Sequence, residues 1–158
     1  THDSYEAFYL GSKCGIILNQ KLKQFDDPYK VYHFPNSIEV VNFLNRGILI
    51  PATIIDKNTL KNDDLGLIKG NFIQHFSIGS KVQLLLQPED LEHDDSSNFK
   101  LDVVDRKFRG TNFIYTLKTQ NNNLIPVLVH THHHEQHEIN EKFGVKKPIT
   151  LEHIVCFK

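Results

Sequence analysis

Apolar and polar positions follow two different rhythms along the chain, one before about residue 45 and one after. In the first stretch, Ser4-Tyr5-Glu6-Ala7-Phe8-Tyr9-Leu10 predicts a short helix. Asp3 or Ser4 caps it, Glu6 lies near its positive end, and Gly11 stops it. Cys14–Leu18 is an apolar run of strand length, and Asn19-Gln20 predicts a two-residue turn into Lys21–Phe25. Asp26-Asp27-Pro28 reads as a helix entry, with Asp27 as cap and Pro28 at the first helical position. That helix runs through Tyr29, Val31 and Tyr32 and ends before Pro35, because the residue ahead of a proline disfavours helical backbone. Asn36 or Ser37 caps a further helix over Ile38–Leu44, with Val40, Val41, Phe43 and Leu44 inward and Gly47 as its stop.

From Gly47 onward the period shortens to two. Ile48–Ile55 is rich in β-branched residues and interrupted by Pro51, which predicts an edge strand or a bulge. Phe72–Phe76 and Val82–Leu86 are strand-like, joined by a Gly79-Ser80 turn. Phe99, Leu101 and Val103 alternate with Lys100, Asp102 and Val104, and Phe113, Tyr115 and Leu117 repeat the pattern. Asn121-Asn122-Asn123 is a tight turn into Leu124–Val129, and Leu151–Phe157 gives a closing strand. The expected fold is α+β, mainly β: a helical part over 1–45, then a small OB-like barrel or sandwich over 46–158.

Composition narrows the class. A chain of 158 residues suits one medium or two small domains, and 39% apolar with 23% charged fits neither a membrane-spanning nor a disordered protein. A net charge of −1 argues against a general nucleic-acid footprint. Cys14 and Cys156 form no CxxC pair, which suits a reducing compartment without a disulfide scaffold. Methionine is absent, position 1 included, so the chain reads as a piece of a longer protein.

Several residue groups bear on chemistry. His130-Thr131-His132-His133-His134-Glu135-Gln136-His137-Glu138 offers imidazoles, and a helix would set His133 and His137 on one face. The HExxH pattern is missed, and the sequence designates no further ligand, so the expectation is a solvated histidine-rich turn and no metal site. Glu89–Asp95 lacks calcium-loop spacing and reads as a solvated loop. Lys146-Lys147, and Arg106-Lys107 with Arg109 beside Phe108, read as ordinary charged faces. There is no G-x-S-x-G nucleophile elbow and no G-x-x-x-x-G-K-[ST] phosphate cradle, and Cys14 sits in an apolar run that suits inert packing.

The opening Thr1-His2-Asp3 followed by Glu6-Ala7 resembles the switch-histidine loop of ABC transporter ATPases. Gly15–Asn19, Leu22–Tyr29, Val31-Tyr32-His33 with Pro35, and Val41-Asn42-Phe43 continue the likeness. The β part resembles the OB-like (TOBE) regulatory domain of importer ATPases, through Gly79-Ser80-Lys81-Val82 and Leu85–Leu91, which runs into an R-P-E-D-like motif. Within the family the ferric-iron importers fit best, on His93–Ser96, Phe108–Leu117, His134–His137 with Glu141, Leu49–Thr53 and His153–Val155 with Phe157. Two positions depart: Gln20 stands for a turn glycine, and Gln87 for the arginine of R-P-E-D.

The resemblance implies the C-terminal part of the ATP-hydrolysing subunit of a ferric-iron importer. His2 would be its catalytic residue, contacting the ATP γ-phosphate and helping to orient the attacking water. It implies ATP and Mg2+ as cofactors of the intact subunit, whereas this stretch alone is not expected to hydrolyse ATP. Implied partners are membrane permease subunits, a second copy of the ATPase subunit and, indirectly, a periplasmic ferric-binding protein, at the cytoplasmic face of the inner membrane. Rival readings are a subunit of a polyamine, sulfate or sugar importer, a stand-alone regulatory, dimerisation or ligand-sensing module, and an OB-type single-strand binder that stacks bases on Phe108, Phe113 and Tyr115.

Overall fold

The computed structural model describes residues 1–132 and 136–158. They form two compact units, Thr1–Arg46 with Phe157 and Gly47–Cys156 with Lys158. No helix among the described residues is long and apolar enough to cross a membrane.

In the first unit, helix α1 (Ser4–Leu10) starts where Asp3 accepts the backbone N–H groups of Tyr5 and Glu6, which satisfies two otherwise orphaned donors. Strands β1 (Cys14–Leu18) and β2 (Lys21–Asp26) make an antiparallel hairpin. Its turn holds Asn19 at φ 51° and Gln20 at φ 62°. Gln20 therefore keeps the tight turn by taking up left-handed backbone itself, a conformation that glycine would adopt with less strain. Helix α2 (Pro28–His33) is capped by Asp27, whose side chain accepts from Lys30 N.

Helix α3 (Ile38–Leu44) is capped by Ser37. It buries Val40, Val41 and Leu44 but leaves Phe43 48% exposed, so the inward set is narrower than the sequence suggested. Its stop is Asn45, left-handed at φ 50°, two residues before the expected Gly47. Cys14, Ile16, Val31, Val40 and Leu44 form the small core of this unit.

The second unit is mainly β, with curled sheets of the OB-like kind. One sheet runs in the order β11-β5-β4-β3-β6-β12, from β3 (Ile48–Asp56), β4 (Thr59–Asn62), β5 (Gly66–Phe72), β6 (Lys81–Leu86), β11 (Ile149–Ile154) and β12 (Cys156–Phe157). The other runs β10-β7-β8-β9, from β7 (Lys100–Phe108), β8 (Asn112–Lys118), β9 (Leu124–His130) and β10 (Lys142–Gly144). One hydrophobic cluster draws on both sheets, with Leu60, Ile68, Leu84, Val103, Tyr115 and Phe143 fully enclosed.

Several expectations shift. Of the two expectations for Ile48–Ile55, the edge strand is not met, because β3 lies between β4 and β6. The β3–β4 register does shift between Ile54 and Asp56, at the end of the run rather than at Pro51. Pro51 is tolerated because the β4 ladder begins only at Thr53, and the Pro51 carbonyl accepts from the Asn62 side chain instead. The strand expected over Phe72–Phe76 lies earlier, at Gly66–Phe72, and residues 73–76 are irregular. The closing run divides into β11 and β12. In β8, Phe113, Tyr115 and Leu117 do face the core, and Asn122 takes φ 62° at its turn.

The Gln87–Asp90 turn sits beside β6. Asp90 Oδ2 accepts from Gln87 N at 2.6 Å, and Asp90 N donates to Gln87 O. Burial pushes the Asp90 carboxyl up to about 7 against the opposing pull of the Gln87 N–H, and the neighbouring Glu89 adds to the rise. A carboxyl raised in the folded state binds its proton there more tightly than in the unfolded chain. Its contribution is therefore complete below about pH 4 and is lost as pH climbs through about 7. Urea unfolding of Asp90→Asn between pH 5 and 8 should show a flatter stability profile than the parent, and a more stable protein at pH 8, by up to a few kcal/mol. Parallel profiles would contradict this.

Candidate functional site

The loop after β6 and the segment between β9 and β10 bring together three side chains that are distant in sequence. His93 makes an isolated antiparallel bridge to Val145, which fixes its backbone. Asp94 is spent on the turn: its Oδ1 accepts from Ser96 N at 2.9 Å and from Ser96 Oγ at 2.6 Å. Asp95 faces the other way, toward the imidazoles. Its Oδ1 lies 3.0 Å from His93 Nε2 and 3.2 Å from His137 Nε2, and the two Nε2 atoms are 3.0 Å apart.

The surroundings hold these groups in place. His137 N donates to the buried Tyr115 hydroxyl at 3.2 Å, and Arg106 Nη1 donates to the His137 carbonyl and to Glu138 Oε1, both at 3.0 Å. Glu141 Oε2 stands 3.8 Å from His137 Nδ1, on the side of the ring opposite the cluster. The fully buried Phe143 ring packs on both imidazoles, at 4.6 Å from His93 and 5.2 Å from His137 between ring centres. The histidine side chains are 13% and 11% exposed, whereas Asp95 is 44% exposed, so the cluster is walled below and open on the carboxylate side. Burial works to raise the Asp95 carboxyl, but the charge and hydrogen bond of His93, then His137 and the Gly144 N–H, hold it below its ordinary value.

His93 and Asp95 belong to the stretch expected to be a solvated loop, which therefore needs correction: Leu91 is buried and His93 nearly so. His137 likewise is buried, and it lies in no helix. The expected pairing of His133 with His137 involves a residue outside those described. The one local signal was the i, i+2 pair His93 and Asp95, which suits two side chains on the same side of an extended segment.

The other sequence-derived residues lie elsewhere. His2 is exposed just ahead of α1, flanked by Asp3 as helix cap and by Thr1, whose hydroxyl donates to Glu6 Oε2 at 2.5 Å. Cys14 is buried and donates to Ala7 O, and burial pushes the Cys156 thiol up to about 12, so neither suits nucleophilic work. Phe113 and Tyr115 are core residues, and of the three candidate stacking rings only Phe108 is exposed. Lys146 pairs with Glu92, Lys107 with Asp105, and Lys147 donates to the Leu65 carbonyl.

No family model matches the chain. It is 34% identical over 122 residues to the spermidine/putrescine import ATP-binding protein PotA of Mesomycoplasma hyopneumoniae, covering 77% of this chain and 27% of that protein. It is 20% identical over 147 residues to PotA of Mycoplasma genitalium, covering 92% and 26%. It is 36% identical over 90 residues to the Fe(3+) ions import ATP-binding protein FbpC of Haemophilus influenzae, covering 56% and 24%. The chain thus spans about a quarter of the length of the curated relatives it matches. The ferric-iron branch is accordingly not favoured over the polyamine branch. The homologues of this chain are ATP-binding subunits of ABC importers, matched over their C-terminal-like region.

Proposed function

We propose that these residues are the C-terminal part of the ATP-hydrolysing subunit of an ABC importer, the end of its nucleotide-binding domain followed by its regulatory domain, and that the imported substrate is a polyamine. The observation that carries this reading is the 34% identity to a spermidine/putrescine import ATP-binding protein, sustained over 122 residues. The surface of the first unit supports it. Tyr9, Leu10, Ile17, Leu22 and Phe25 are 61–89% exposed, apolar side chains that the rest of a nucleotide-binding domain would cover. Residues 1–45 then belong to that domain and residues 46–158 are the regulatory module.

In this function the intact subunit would bind Mg2+ together with ATP, and the γ-phosphoryl group of ATP is transferred to water. His2 meets the γ-phosphate. Its neighbours are committed to the start of α1, Asp3 to the Tyr5 and Glu6 N–H groups and Thr1 to Glu6, so the imidazole is presented by an anchored backbone. An imidazole can hold the attacking water or the phosphate oxygen through one hydrogen bond, and phosphoryl transfer depends mainly on such positioning. The subunit works as a pair of copies on membrane permease subunits, at the cytoplasmic face of the membrane.

A second reading, ferric iron as substrate, rests on the 36% identity over 90 residues to the iron-import subunit. Uptake by cells lacking the gene separates the two. The polyamine reading expects loss of labelled spermidine uptake, restored by the gene, with ferric-iron uptake unchanged. The reverse result favours iron. Unchanged uptake of both overturns the polyamine and the ferric-iron readings.

A further inference from the structure

We propose that His93, Asp95 and His137 form a binding site for a divalent first-row transition-metal ion of the zinc class. Their donor atoms make a triangle with edges of 3.0, 3.0 and 3.2 Å. Tetrahedral ligation at ~2.0–2.1 Å places donors about 3.3 Å apart, so an ion about 1 Å above the plane of this triangle reaches all three with little adjustment.

Protons alone do not account for the triangle. Each Nε2 carries at most one proton and the carboxylate carries none when ionised, so at most two of the three short edges can hold a hydrogen bond. The remaining edge sets two polar atoms against each other at 3.0–3.2 Å. One cation satisfies all three edges together.

The support around the ligands is of the kind that metal sites use. Both rings turn Nε2 to the common point, and on the far side of His137 the Glu141 carboxylate faces Nδ1, where it favours the tautomer that leaves Nε2 free to ligate. Phe143 and Tyr115 wall the base of the site and lower the local dielectric, whereas Asp95 leaves one side open to water. Two imidazoles and one carboxylate suit zinc, ferrous or cobaltous ions rather than the hard oxygen-seeking calcium or magnesium. Among the described residues the site has three protein ligands, the number that exchangeable zinc sites use. The ion would tie the loop after β6 to the segment ahead of β10, two parts of the same β unit that are 44 residues apart in sequence. This site is independent of the transported substrate and of the role of His2.

The test is zinc titration by calorimetry, with cobalt absorption as a second readout, on the parent and three variants. The first carries alanine at His130, His132, His133 and His134, which removes the remaining histidines of the tract. The others are His93→Gln and His137→Gln. The proposal expects one tight equivalent that survives in the tract variant and weakens about 100-fold in each glutamine variant, with tetrahedral cobalt bands following the same order. Binding that is lost with the tract and kept in His93→Gln overturns it, as does calcium binding as tightly as zinc. If the glutamine variants fail to fold, ring resonances of His93 and His137 in the parent decide: they must shift on zinc addition, and unshifted resonances overturn the proposal.

Discussion

Gly144→Ala should destabilise the β unit by about 3 kcal/mol and disorganise the histidine–aspartate cluster at the same time. A Cβ at this position would lie 2.0 Å from the Asp94 carbonyl oxygen, 2.8 Å from its carbon and 3.0 Å from Asp95 Cα. All three are backbone atoms, so no side-chain rotation relieves the contact. Either β10 or the 94–95 loop has to move, and Asp94 N donates to Gly144 O at 2.9 Å across the same junction. Gly79→Ala is the control: its φ of 85° brings backbone strain, but a Cβ there meets nothing within 4 Å, and a loss of only ~1 kcal/mol is expected. Equal urea midpoints for the two variants would show that the close approach at Gly144 does not matter.

Phe143→Ala should cost about 3–5 kcal/mol, the range for removing a fully enclosed aromatic ring from a core. The ring touches Tyr115 as well as both histidines, at 5.2 Å from the Tyr115 ring centre, so its loss opens a cavity directly beneath the cluster. Phe143→Leu refills much of that volume and should recover more than half of the loss. Urea unfolding measures both. A loss below about 1 kcal/mol in Phe143→Ala would mean that the cluster and the core beneath it are not packed as described.

The local elements were largely legible because their signals are local. Asp27 ahead of Pro28, Ser37 ahead of Ile38 and the alternation through Phe113, Tyr115 and Leu117 each determine structure within a few residues. What failed depended on neighbours that the chain supplies elsewhere. Pro51 suggested an edge, yet the far end of the ladder and the Asn62 amide let it sit in an inner strand. Phe43 reads as inward by period alone, but α3 buries only Val40, Val41 and Leu44. Strands as short as β4 and β10 carry too few residues for a period to show.

The metal-type cluster was hidden for the same reason in a stronger form. His137 stood out as one histidine of a tract, His93 and Asp95 as part of an acidic loop, and the two stretches as separate runs of the importer likeness. Their meeting depends on the His93–Val145 bridge, the Gly144 approach and the Tyr115 hydroxyl, none of which is written locally. The likeness to importer ATP-binding subunits, by contrast, was carried by ordered runs of residues and was visible from the sequence. The branch of the family was not, since the ferric-iron motifs cover less of the chain than the polyamine likeness does.

The proposal that these residues work in an importer's motor, with His2 at the transferred phosphate, is tested most directly by ATP turnover of the intact subunit assembled with its permease in membranes. The expected result for His2→Ala is a fall of about 100-fold or more in turnover at saturating ATP, with the complex still assembled and nucleotide still bound. Turnover unchanged by that substitution, in a complex shown to contain this chain, would contradict it.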